Sequence, residues 1–61
     1  MADMNFADLE VFYERLATAI DEAGAEKTDL FLTKLSLLLA NKLGDKHAAL
    51  DAIEIALKDI S

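Results

Sequence analysis

The residues best suited to chemistry are His47, Asp51 and Glu54, the pattern H-x-x-x-D-x-x-E. On a helix these spacings put one imidazole and two carboxylates on one face, a donor set that could hold a divalent metal. Metal sites in helical bundles project inward, however, and back a Glu-x-x-His pair with further carboxylates. Here the triplet lies opposite the apolar stripe of its own segment and is mixed with Lys58. The pattern therefore reads as a solvated charged face, and no metal or other cofactor is expected. Glu10, Glu14 and Asp21 form a second acidic row. Paired carboxylates do acid–base work when their environments push their pKa values apart, and a water-facing row does not. The lone histidine has no serine or threonine beside it in a nucleophile arrangement, and two isolated glycines cannot build a phosphate loop. No catalytic residue is assigned, and catalysis by this chain alone is not expected.

The elements that carry these residues are helical. There is no proline, and Gly24 and Gly44 divide the 61 residues into three periodic segments. Glycine just past a helix end can close it in the left-handed conformation. The expectation is a single all-α domain over residues 1–61, with helices at about 5–23, 28–43 and 45–60. In the first, Asn5 can cap the amino end. Phe6, Leu9, Phe12, Tyr13, Leu16, Ala17, Ala19, Ile20 and Ala23 fall within roughly 160° of arc, at about 100° per residue. Val11 is the large apolar residue on the polar side. In the third, Asp45 can cap, Ala49, Leu50, Ile53, Ala56, Leu57 and Ile60 form the stripe, and Ile55 points away from it.

The middle segment, LFLTKLSLLLANKLGD, is different in kind. Phe31, Leu32, Leu35, Leu38, Leu39 and Leu43 fill one broad arc, enough to pack on two neighbours. Leu30 and Leu37 lie one heptad apart on the other side, with Lys34 and Asn41 beside them. A helix apolar all round is normally buried all round, and two short helices cannot surround it. A chain of this length buries only about 60% of its unfolded surface, so small folds need a staple. Cysteine is absent, which removes disulfides and thiolate metal sites and leaves association. The expected fold is a small three-helix bundle completed by homodimerisation. Its interface residues are Leu30, Leu37, Lys34 and Asn41, with Val11 or Ile55. Asn41 either fixes the register of that interface or helps to end its helix.

Charge bears on partners. Residues 1–26 hold seven acids against Arg15 alone, a net of −6, while residues 27–61 balance five lysines with five acids. Such a surface repels phosphate backbones and anionic lipid, so neither nucleic acid nor membrane is an expected partner. No apolar run approaches the length of a membrane span, and MADMNFADLE is no secretory signal. The absence of cysteine fits a reducing compartment, and the cytoplasm is the expected location.

FYERL in the first segment, then LSLLLANKLGD and a short alanine- and leucine-rich tail, resemble a family of about 60-residue uncharacterised bacterial proteins, a domain of unknown function. The resemblance covers residue 11 to about residue 57 and is strongest over Leu37–Asp45. It implies a bacterial, all-helical protein without an established activity. It also implies an accessory role beside a catabolic enzyme such as a flavin-dependent aromatic hydroxylase. It supplies no catalytic residues; Asn41, Gly44 and Asp45 are its motif positions. The leading reading is a non-catalytic helical interaction protein, most simply a homodimer. The alternatives are a small subunit or regulator of an enzyme, bound through another helical protein, and a binder of a small apolar ligand between protomers, lined by Phe12, Tyr13 and Phe31.

Overall fold

The computed structural model describes residues 3–60. Its elements are α1 (Phe6–Ala23), a single 3-10 turn (Ala25–Lys27), α2 (Thr28–Leu43) and α3 (Lys46–Ile60), with no strand among the described residues. The chain divides into two compact units, Met1–Phe31 and Leu32–Ser61. The first holds α1, the 3-10 turn and the opening turn of α2. The second holds the rest of α2 and all of α3.

α1 and α3 each begin on a side chain that answers an orphan amide. The first N–H groups of a helix have no partner within it, so a cap accepts one of them. Asn5 sits in the extended region, and its Oδ1 accepts the Asp8 N–H at 2.8 Å. Asn5 Nδ2 in turn donates to Asp8 Oδ2 at 3.1 Å, tying the cap to the first turn. Asp45 does the same for α3, accepting the Ala48 N–H at 3.1 Å. Both caps match the sequence expectation.

The helix ends divide into two kinds. Gly44 has φ 69°, the left-handed side, and its N–H donates to the Ala40 carbonyl at 3.0 Å. Gly24 also has positive φ, but at φ 87°, ψ 154° it lies outside the left-handed helical well expected for it. That region is reached essentially by glycine alone. A Cβ at Gly24 would meet nothing within 4 Å, so backbone conformation, not space, requires glycine there. From Gly24 the chain turns at once. Its carbonyl accepts the Lys27 N–H at 3.0 Å and the Thr28 Oγ1–H at 3.0 Å. No pattern in Ala25–Lys27 announces this 3-10 turn.

Among the described residues the expected bundle core is not formed. None of the described side chains is buried, in either unit. In the first unit Phe12, Leu16, Ile20, Ala23 and Phe31 are partly covered, while Phe6 is 75% exposed and Tyr13 68%. In the second unit Leu32, Leu35, Ala40, Leu43, Ala48 and Ala49 are partly covered. Amphipathic faces are formed and left wet, where leucine-sized side chains forfeit about 1.5–3 kcal/mol each.

Candidate interaction surface

The second unit holds an apolar groove of about 420 Å³ between α2 and α3. From α2 come Ser36, Leu37, Leu39, Ala40 and Leu43; from α3 come Ala49, Ala52, Ile53 and Ala56. Eight of these nine residues are apolar. The ninth, Ser36, donates its hydroxyl to the Leu32 carbonyl of its own helix at 2.8 Å. Its O–H is therefore already used, and no ionisable group lines the groove. An acid, a base or an activated nucleophile would have to come from elsewhere. The surface is suited to covering apolar atoms.

The groove regroups residues that the sequence pattern had kept apart. Leu37 was placed with the interface, Leu39 and Leu43 with the core arc; all three line the same groove. On α3 the face turned to the groove is Ala49, Ala52, Ile53 and Ala56. That differs from the expected stripe by taking Ala52 and leaving Leu50, Leu57 and Ile60 outside, 53%, 55% and 83% exposed. The two helices flank this groove without packing on each other, and its small alanine side chains leave it open. Ala49, Ile53 and Ala56 belong both to the expected stripe and to the groove; Ala52, which the pattern sets beside Ile55, is the one addition.

The six predicted interface residues are all exposed. Leu37 is 67% exposed and lines the groove. Leu30, one heptad before it on α2, is 56% exposed, and Lys34 and Asn41 are exposed on the same helix. Val11 on α1 is 67% exposed, and Ile55 on α3 is 61% exposed and is not among the residues lining the groove. Asn41 is not needed to end α2, because the bond from Gly44 N–H to the Ala40 carbonyl does so.

His47, Asp51 and Glu54 are exposed along α3. Among the described residues no three histidine, aspartate or glutamate side chains gather closely enough to hold a metal. Glu10, Glu14 and Asp21 are exposed on α1. The ion pair between Arg15 Nη1 and Glu22 Oε1, 2.9 Å long, has both partners more than 60% exposed (66% and 62%). No helix among the described residues is long and apolar enough to cross a membrane.

Against this geometry, the model of a family described as "Protein of unknown function (DUF2783)" matches residues 1–58. The chain belongs to the DUF2783 family. The match extends beyond the span carried by FYERL and LLLANKLGD, taking in the Asn5 cap and the start of α1. No curated protein and no solved structure matches the chain. DUF2783 membership thus brings a family without an assigned activity, and function has to be argued from the surfaces themselves.

Proposed function

We propose that this DUF2783 protein is a non-catalytic helical interaction module that acts as a homodimer. The observation that carries the reading is the number of large apolar side chains left exposed when none is buried. They include Phe6, Leu9 and Tyr13 on α1, Leu30, Leu37, Leu38 and Leu39 on α2, and Leu50, Ile53, Leu57 and Ile60 on α3. Single exposed leucines are ordinary, but such rows on every helix are the mark of surfaces meant to be covered. A lining without ionisable groups supports the non-catalytic part of the reading.

Sedimentation velocity across low to high micromolar concentration tests it, with far-UV circular dichroism on the same samples. A single dimeric species, with a melting temperature that rises with concentration, is the expected result. A monomer with a sharp, concentration-independent melt would overturn the homodimer. Co-purification from native cells would then ask whether a foreign helical protein takes the surface.

A further inference from the structure

The second unit shows which surface two copies would share. Its groove holds four bulky side chains, Leu37, Leu39, Leu43 and Ile53, and four alanines, Ala40, Ala49, Ala52 and Ala56. Facing layers pack well when large residues meet small ones. A two-fold axis sets the same patch against itself, so residue i meets j and j meets i. A patch that is half bulky and half small can satisfy both conditions with a second copy of itself. The lining suits an apolar occupant, because eight of its nine residues are apolar and the one hydroxyl already donates to the Leu32 carbonyl.

Charge selects the same half of the chain. Residues 1–26 carry a net −6, and residues 27–61 carry none, with all five lysines matched by five acids. Bringing two acidic first segments together sets like charges against each other, whereas two second units meet without net repulsion. We infer that two copies associate through the α2–α3 grooves of their second units, giving four helices around a shared apolar seam. Leu37 of each copy faces the alanines of the other. This rests on the homodimer reading and adds to it the surface, the symmetry and the residues.

The test uses the cysteine-free full chain as a blank background. Single cysteines replace Leu37, Ala40, Ala52 or Ala56 in the groove, and Leu9, Phe12 or Leu16 on α1. Each variant is oxidised with diamide, alone and in pairwise mixtures, and run on a non-reducing gel. Sedimentation of the reduced sample gives the state of assembly independently. A disulfide requires Cα atoms about 4.4–6.8 Å apart, so it reports close approach. Groove positions are expected to give covalent dimers alone or with one another, and α1 positions are not. The dissociation constant is expected to change less than threefold between low and moderate salt.

A dimer linked only through α1, or through an α1 position paired with a groove position, would overturn this surface and leave the homodimer standing. So would a dimer that no groove cysteine links. Marked tightening with salt would do the same, because screening relieves repulsion between acidic segments. Reduced wild-type protein that is monomeric at every concentration would overturn the homodimer itself, and this surface with it.

Discussion

Leu37→Gln gives the most direct measure of what the groove contributes. Leu37 is 67% exposed, so about two-thirds of its burial free energy is still available to a partner. Full burial of a leucine is worth about 1.5–3 kcal/mol, which leaves about 1–2 kcal/mol per copy. In a two-fold dimer the substitution removes the side chain from both copies, a loss of about 2–4 kcal/mol. At about 1.4 kcal/mol per tenfold, Kd is expected to rise by about 30- to 1,000-fold. Glutamine is a good helix former, so α2 itself should persist. Sedimentation equilibrium gives Kd, and circular dichroism confirms the helix content. Ile55→Gln is the matched control: Ile55 is 61% exposed yet is not among the groove-lining residues, and its Kd should change less than about threefold. Equal effects at both positions would refute the assignment of the contact to the groove. An unchanged Kd for Leu37→Gln in a helical dimer would refute it too.

Three further predictions concern the local chemistry that shapes the helices. Gly24→Ala should destabilise the fold by about 1–3 kcal/mol, because φ 87°, ψ 154° is a glycine conformation; urea denaturation measures it, and a neutral result would mean that the turn has relaxed. Asp45→Ala removes the acceptor for the Ala48 N–H and should cost about 1 kcal/mol, with faster amide exchange in the first turn of α3, whereas Asp45→Asn should change little. Arg15→Ala breaks the ion pair with Glu22, but both side chains are mostly exposed, so the melting temperature should hardly move in physiological salt.

The parts of the fold that were legible in the sequence are those decided within three or four residues. The caps at Asn5 and Asp45 and the breaks at Gly24 and Gly44 each depend on one hydrogen bond or one dihedral, and sequence neighbours supply both. The 3-10 turn over Ala25–Lys27 left no such mark. Its residues are ordinary helix formers, and what tightens them is the Gly24 carbonyl accepting the Lys27 N–H. A carbonyl carries no sequence signature. The orientation of α2 was hidden for a different reason. Its apolar residues occur at nearly every phase of the helix, so the period is clear and the direction is not.

That ambiguity of α2 also bears on function. A helix with one apolar stripe has one place to go, and its neighbour can be named from the pattern. A helix with leucines around most of its circumference can line the groove with α3 and still present apolar surface elsewhere. In the second unit Leu37 and Leu39 border the groove, and Leu38, 60% exposed, is not among its lining residues. Once the grooves of two copies have closed on each other, Leu38 would remain as exposed apolar surface of α2. Covering the groove therefore need not exhaust what this helix can bind. Leu37→Gln weakens the groove contact without removing it and leaves Leu38 untouched, so the association that survives combines the weakened groove with whatever the second face contributes. Leu38→Gln, made in the Leu37→Gln background, should weaken that residual association further if α2 uses both faces, and should leave it unchanged if α2 uses the groove alone.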